Sequence, residues 1–214
     1  MGMTRRKWLG HCTALVLAGT ALPPMAQTPK PVILVVGDSL SAEYGLERGT
    51  GWVALLDQRL VQDKRVATVV NASISGDTTS GGRSRLPALL KQHQPTIVVI
   101  ELGGNDALRG LPLSSTRDNL QTMARTAKAA GAKVLVVGMQ VPPNYGRQYG
   151  DDFAALFASV AKSEGTALVP FLLKGVADVP NFEALFQADR IHPKAQAHPT
   201  MLANVWAGLK PLLR

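Results

Sequence analysis

The chain alternates short apolar runs with stretches of helical periodicity. Five runs rich in Val and Ile and bounded by Gly, Asn or Pro indicate buried parallel strands, at residues 31–36, 66–71, 96–102, 133–137 and 167–170. The amphipathic stretches between and after them predict helices at residues 51–62, 82–92, 115–130, 151–164 and 193–213. Ser114 or Ser115 can cap the third helix, and Gly131 and Gly165 stand where helix ends favour a left-handed residue. Five strands alternating with five helices predict an α/β fold, a three-layer α/β/α sandwich with a five-stranded parallel sheet.

The first 26 residues have the layout of a secretory signal peptide. The basic cluster Arg5, Arg6 and Lys7 precedes an apolar run at residues 8–22, and Pro and small residues follow up to Ala26. The apolar run is too short to span a bilayer comfortably. We therefore expect cleavage after Ala26, a periplasmic or secreted product without a stable membrane anchor, and one domain at residues 27–214.

Loss of the signal segment changes what the composition allows. The full chain has a net charge of +8, but part of that surplus lies in the segment and the rest is scattered, so we expect no nucleic-acid partner. The single cysteine, Cys12, is lost too, which excludes thiol nucleophiles, thiolate metal sites and disulfides from the mature chain. With His11 also removed, imidazole chemistry must use His93, His192 or His198.

Polar residues follow the apolar runs, where open parallel sheets bind their ligands. Ser39 follows the first run, and the loop after the fifth run contains Asp189 and His192. A serine becomes a nucleophile when a neighbouring base takes its proton and a third group holds that base in the correct tautomer. The spacing of three residues lets Asp189 reach Nδ1–H of His192, which leaves Nε2 for the Ser39 hydroxyl. We therefore predict that Ser39, His192 and Asp189 are catalytic.

Acyl transfer also needs hydrogen-bond donors where the tetrahedral oxyanion develops. The backbone N–H groups of Ser39 and Gly76 and the side-chain amide of Asn105 are the candidate donors, each at the end of a predicted strand. Taken singly, each of these residues is typical of an ordinary turn or helix cap. Their joint occurrence in order at successive strand ends is what favours an oxyanion hole.

Other polar residues near these segments have a structural interpretation. Asp38, Asp77 and Asp106 flank the candidate site residues, and we expect them to brace loops through hydrogen bonds. His93 lies at a predicted helix end and His198 precedes a proline in the last helix. We expect both histidines to be structural or exposed.

The strand-end segments together resemble the SGNH hydrolases, also called GDSL esterases and lipases. GDSLS contains Ser39, SISGDTTSGG contains Gly76, GGNDALRG contains Asn105, and DRIHP contains Asp189 and His192, in the family's order. The similarity extends over the mature chain and is nearest to the small periplasmic thioesterase I and lysophospholipase subgroup, as YGLERGTGWVALL, VPPNYGRQY and ANVW also indicate. The resemblance implies a five-stranded parallel sheet between helices. It also implies hydrolysis of acyl thioesters, lysophospholipids and aryl or short-chain esters, without a cofactor or metal.

The sequence departs from the family pattern at a few positions. Arg190 and Lys194 stand where Gly and Asn are frequent, and a histidine precedes Pro199 where a neutral residue is more usual. None of these changes removes a catalytic group.

Apolar residues after the third and fourth strands predict a groove for an acyl chain. We expect Leu108, Leu111, Pro112 and Tyr145 to contact substrate, and Ala107, Val141 and Pro142 follow the same strands. Only 5% of residues are aromatic, so few rings are available to stack on sugars. A small-molecule or lipid-like acyl substrate and a monomeric enzyme are therefore expected.

Two other functions remain as alternatives. A carbohydrate deacetylase of the same family would use the same strand-end residues on a different substrate. A flavodoxin-like binding or phospho-acceptor domain would instead hold a metal with acidic residues at this edge, and it would not need Ser39, Asn105 and His192 together. Dependence of activity on metal distinguishes the last alternative from the hydrolases.

Overall fold

The structure is a computed structural model that describes residues 1–2 and 30–214. The predicted signal peptide, except for its first two residues, lies outside the described residues. In the part of the chain that is described, none of the helices has the length and apolar character needed to cross a membrane.

The predicted strands form one parallel sheet. Their bounds are Val32–Gly37 (β1), Thr68–Asn71 (β2), Ile97–Glu101 (β3), Lys133–Val137 (β4) and Ala167–Val169 (β5). The spatial order is β2-β1-β3-β4-β5, so the direction of the crossovers reverses between β1 and β3. Ligands of such sheets bind at this switch point, beyond the carboxyl ends of the strands. The predicted fold class is confirmed.

Within residues 30–214, six α-helices cover the two faces of the sheet. Their bounds are Trp52–Gln62 (α1), Thr79–His93 (α2), Gly104–Leu108 (α3), Leu113–Ala129 (α4), Arg147–Glu164 (α5) and His198–Leu209 (α6). Ile33 and Val35 of β1 pack into a core with α1 and α6, whereas Leu34 and Val36 pack into a second core with α2, α4 and α5. Because helices cover both faces, the central strands are continuous apolar runs, as the sequence pattern predicted.

Some predicted helix boundaries were wrong. Helix α4 begins at Leu113, so Ser114 and Ser115 lie inside its first turn and Pro112 occupies the N-cap position without a side-chain cap. The last α-helix begins at His198 rather than at residue 193, because Pro193 pairs with Phe186 in an isolated antiparallel bridge. A 3₁₀ turn, Ala195–Ala197, fills the interval between the bridge and α6.

Buried His198 joins α6 to α1. Its Nδ1 accepts a hydrogen bond of 3.0 Å from the backbone N–H of Trp52, and the side chain is 2% exposed. Gly51, at the N-cap of α1, has no side chain that could accept this bond. The imidazole therefore caps a helix from a position 146 residues away, which confirms a structural role. His93 is the last residue of α2 and is half-buried.

Candidate active site

The carboxyl end of the sheet brings together the three residues predicted to be catalytic. Ser39 lies two residues beyond the end of β1, and its Oγ is 2.9 Å from Nε2 of His192. Nδ1 of His192 is 2.7 Å from Oδ2 of Asp189. The three side chains therefore form one continuous line of hydrogen bonds from hydroxyl to carboxylate.

The loop before α6 holds Asp189 against His192. Oδ1 of Asp189 accepts hydrogen bonds from the backbone N–H groups of Ile191 at 2.9 Å and His192 at 3.0 Å. Partial burial tends to raise the pKa of Asp189, but the hydrogen bonds from His192 and Ile191 outweigh it and lower the pKa to about 2. The carboxylate is therefore ionised at neutral pH and holds the proton of His192 on Nδ1.

A tyrosine that the sequence reasoning missed covers the imidazole. The rings of Tyr44 and His192 have centroids 4.3 Å apart. Tyr44 follows Ser39 by five residues in the loop after β1, and the segment YGLERGTGWVALL begins with it. That segment contributes to the family resemblance, but nothing in its sequence indicates that Tyr44 contacts the base.

Gly76 lies in the loop between β2 and α2, and its φ of 78° falls in the left-handed region, where glycine has no steric penalty. The guanidinium Nη2 of Arg109 donates to the carbonyl oxygen of Gly76 at 2.7 Å. A Cβ at position 76 would lie 3.6 Å from that same nitrogen, so the arginine approaches the glycine closely. Arg109 was not predicted to contact the site, although it belongs to the GGNDALRG segment.

Asn105 is the second residue of α3, a short helix where the sequence predicted only a turn. Gly103 precedes the helix with a φ of 122°, a conformation that favours glycine, and the helix begins at once after β3 and Leu102. The side-chain Nδ2 of Asn105 donates to Oδ2 of Asp38 at 3.0 Å. This bond uses one N–H of the amide, and no other residue within the described part of the chain accepts from Nδ2.

Two buried acids lie beneath the site. The Ser41 hydroxyl donates to Oε2 of Glu101 at 2.6 Å, and the backbone N–H of Asp38 lies 3.4 Å from the same oxygen. Burial raises the pKa of Asp38 to about 6 against the opposing hydrogen bonds from Leu40 and Asn105. Burial, followed by the charge of Asp38, raises the pKa of Glu101 well above its ordinary value. Burial therefore makes both carboxyls bind protons more readily than a solvent-exposed carboxyl does.

The expectation that the flanking aspartates brace loops is confirmed. Asp77 accepts from the backbone of Thr78 and from Arg85, and Asp106 accepts from Thr79. These contacts anchor the loop before α2, which contains Asp77, and helix α3, which contains Asp106, to α2.

The predicted substrate contacts lie on exposed surface after β3 and β4. Leu108 ends α3 with 45% of its surface exposed, and Leu111 is 37% exposed in the turn before α4. Pro112 is exposed, and half-buried Tyr145 stacks on Tyr149 with centroids 6.0 Å apart. An open apolar surface of this kind suits an acyl chain that lies across it.

The site combines a hydroxyl, a base with a fixed tautomer and amide donors at one sheet edge. A hydroxyl in contact with an imidazole can attack an electrophilic carbonyl carbon while the imidazole accepts its proton. This is the chemistry of acyl transfer to serine.

Comparisons with known proteins agree with this chemistry. The model of the GDSL-like Lipase/Acylhydrolase family matches residues 35–199. Esterase TesA of Pseudomonas aeruginosa is 52% identical over 205 residues, which cover 96% of this chain and 98% of that protein. Thioesterase 1/protease 1/lysophospholipase L1 of Escherichia coli K12 is 43% identical over 181 residues, which cover 85% of this chain and 84% of that protein. A crystal structure of TesA superposes with a TM-score of 0.81 and 54% identity, covering 85% of this chain and 99% of that one. The resemblance read from the four sequence segments is thereby confirmed.

Proposed function

The chain belongs to the GDSL-like lipase/acylhydrolase family, and we propose that it hydrolyses acyl esters and thioesters through a covalent intermediate on Ser39. One observation carries the proposal: Ser39 Oγ lies 2.9 Å from His192 Nε2, and His192 Nδ1 lies 2.7 Å from Asp189. The names of the relatives, esterase and thioesterase 1/lysophospholipase L1, support the same reaction class.

In the first half of the reaction, Nε2 of His192 accepts the Ser39 proton while Oγ bonds to the acyl carbon. The carbonyl π electrons move to oxygen, and the oxyanion accepts hydrogen bonds from the Ser39 and Gly76 N–H groups and from Asn105. Collapse of this intermediate breaks the bond to the alcohol or thiol, which takes the proton from the imidazolium.

Water completes the cycle. His192 removes a proton from water as the water oxygen attacks the acyl carbon on Ser39, and the proton returns to Oγ as the acid leaves. Asp189, which is ionised because of its lowered pKa, stabilises the imidazolium in both halves of the reaction.

The acyl portion of the substrate lies along the apolar residues after β3 and β4. Leu108 and Leu111 expose their side chains there, and Pro112 and Tyr145 extend the surface. The substrate is a small or lipid-like acyl compound, and the enzyme acts as a monomer. The signal layout of residues 1–26 directs the mature domain to the periplasm or the medium.

Labelling with a fluorophosphonate tests the nucleophile. The reagent should add one adduct to the peptide that contains Ser39, and both labelling and turnover should disappear in Ser39→Ala. Ser84→Ala, an exposed serine on α2, is the matched control and should keep both. An adduct on another residue, or turnover in Ser39→Ala, would contradict the assignment.

A substrate panel tests the class of ester. We expect hydrolysis of p-nitrophenyl esters, acyl-CoAs and lysophospholipids by the purified mature domain without added metal. Activity confined to acetylated sugars would favour the deacetylase alternative, and loss of activity on chelation would favour a metal-dependent domain.

A further inference from the structure

The orientation of the Asn105 amide decides whether this residue stabilises or repels an oxyanion. A side-chain amide carries N–H donors on one atom and an acceptor oxygen on the other, and half a turn about its last torsion exchanges them. Only the orientation with Nδ2 toward the reacting carbonyl oxygen supplies a donor. Something outside the amide must therefore fix the torsion.

The carboxylate of Asp38 occupies the position that fixes it. Its Oδ2 accepts from Asn105 Nδ2 at 3.0 Å, and its Oδ1 accepts from the backbone N–H of Leu40 at 3.0 Å. The side chain is 2% exposed, so water does not compete for either oxygen. A reversed Asn105 amide would place its oxygen against Oδ2, and two acceptors would then face each other.

We propose that Asp38 is a positioning residue for acyl transfer: its carboxylate holds Asn105 with the second N–H of Nδ2 turned toward the oxyanion. This inference rests on the proposed function, because it needs an oxyanion to form above Ser39. Asp38 touches neither the substrate nor the reacting atoms, since its carboxylate oxygens bind Asn105 Nδ2 and the backbone N–H of Leu40.

The two hydrogen bonds require a carboxylate in particular. Both partners, Leu40 N–H and Asn105 Nδ2–H, are donors, and a carboxylate offers an acceptor oxygen to each. An asparagine at position 38 has one oxygen and one NH₂ group, so it satisfies only one partner. When the oxygen of this asparagine accepts from Leu40 N–H, its NH₂ group faces Asn105 and favours the reversed orientation of the Asn105 amide.

Burial of a charged carboxylate costs free energy because the charge loses its hydration. This cost distinguishes a residue that orients Asn105 from one that only stabilises the loop. The raised pKa of Asp38 means that its ionised form is less favourable in the folded protein than in water. A residue kept only to hold the loop would be served as well by a neutral side chain. The charge is useful where both of its oxygens must accept.

The test is a double-mutant cycle on the full mature domain with a short p-nitrophenyl ester. Asp38→Asn should lower kcat by about 10- to 100-fold with a smaller change in KM, because the loss falls in the transition state. In an Asn105→Ala background, Asp38→Asn should change kcat by less than about twofold. Rates are normalised to the fraction of Ser39 that a fluorophosphonate labels at saturation, so misfolded molecules are not counted.

Asp106→Asn is the matched control. Asp106 is also buried and follows Asn105 directly, but it accepts from Thr79 and Thr116 rather than from the Asn105 amide. This variant should lower the thermal midpoint and keep a near-normal kcat per labelled site. Asp38→Ala, measured in the same two backgrounds, provides a second cycle that does not depend on how the introduced asparagine orients.

The outcomes separate the possible failures. Unchanged kcat in Asp38→Asn, or the same fold loss in both backgrounds, would overturn the positioning role. Absence of labelling and turnover in the unmutated enzyme would instead overturn the proposed function, and this inference with it.

Discussion

The phenol ring of Tyr44 lies against the imidazole of His192, with ring centroids 4.3 Å apart and planes tilted by 38°. Tyr44 belongs to the same loop as Ser39, and its carbonyl oxygen accepts from Gln187 Nε2 at 2.9 Å. Gln187 N–H also donates to the carbonyl oxygen of His192 at 2.8 Å. Tyr44, in the loop after β1, therefore contacts the loop before α6 at two points, the ring of His192 and the side chain of Gln187.

Replacing Tyr44 by alanine should allow the His192 imidazole to move and lower kcat/KM by about tenfold, since a small displacement of the reacting groups reduces the rate strongly. Stability should change little, because the side chain is 49% exposed. Tyr44→Phe keeps the ring and should retain near-normal turnover. Equal losses in the two variants would show that the hydroxyl, and not the ring contact, is responsible.

Asp189→Asn should lower kcat by about 10²- to 10⁴-fold, because an amide no longer selects the Nδ1–H tautomer of His192 or stabilises its imidazolium. Fluorophosphonate labelling should slow in parallel. The lowered pKa of Asp189, about 2, means that its contribution to stability is present above its unfolded pKa and is lost only as the pH falls toward 2. A kcat in Asp189→Asn within about tenfold of the unmutated enzyme would contradict the role of this carboxylate.

The sheet and the hydrogen-bonded series Ser39–His192–Asp189 were predictable from the sequence because both depend on local patterns. Continuous Val and Ile runs occur where helices cover both faces of a strand, and the residues following them reach the same edge of the sheet. Ser39, Asp189 and His192 therefore came together as expected.

The contacts that the sequence did not predict are long-range and have no pattern of their own. Tyr44 on His192, Arg109 on Gly76 and His198 on α1 each join residues whose pairing depends on loop conformation. The short helix α3 was missed for a related reason. Its sequence, GNDAL, has the composition of a turn, and the contact of Asp106 with Thr79 of α2 has no signal in the local pattern.

The contact between Arg109 and Gly76 predicts a variant that impairs the proposed oxyanion hole without replacing any of the proposed catalytic side chains. Arg109→Met keeps the aliphatic stem but removes the donor to the Gly76 carbonyl, one of the bonds that hold the loop around Gly76, while the bond from Asp77 N–H to the Ile74 carbonyl remains. We expect kcat for a short ester to fall by about five- to tenfold, with a smaller change in the thermal midpoint because the bond is exposed. Arg117→Met removes an exposed arginine from α4 and controls for the change in charge. Equal effects of the two substitutions would assign the loss to charge rather than to the contact.

The last prediction concerns pH and stability through His198. Burial lowers the pKa of this imidazole, although a hydrogen bond to the Pro193 backbone and the charge of Glu43 partly oppose the shift. The folded protein therefore holds His198 neutral, with Nδ1 accepting from Trp52, while the unfolded chain binds a proton near pH 6.5. Because the unfolded state then carries more protons, the contribution of His198 to the free energy of unfolding is full above about pH 6.5 and decreases below it.

His198→Asn isolates this contribution, since the asparagine oxygen can accept from Trp52 N–H but cannot titrate. At about pH 8 the variant should be less stable by roughly 1 to 2 kcal/mol, because a smaller side chain leaves space in the core. Between about pH 8 and pH 5 the difference between the two proteins should shrink, as only the unmutated protein loses stability through this site. Asp38, whose raised pKa stabilises the folded state as the pH falls, is present in both and cancels in the difference. Urea unfolding of both proteins at several pH values in this range measures the difference in their free energies of unfolding. A difference that stays constant would mean that His198 does not protonate on unfolding.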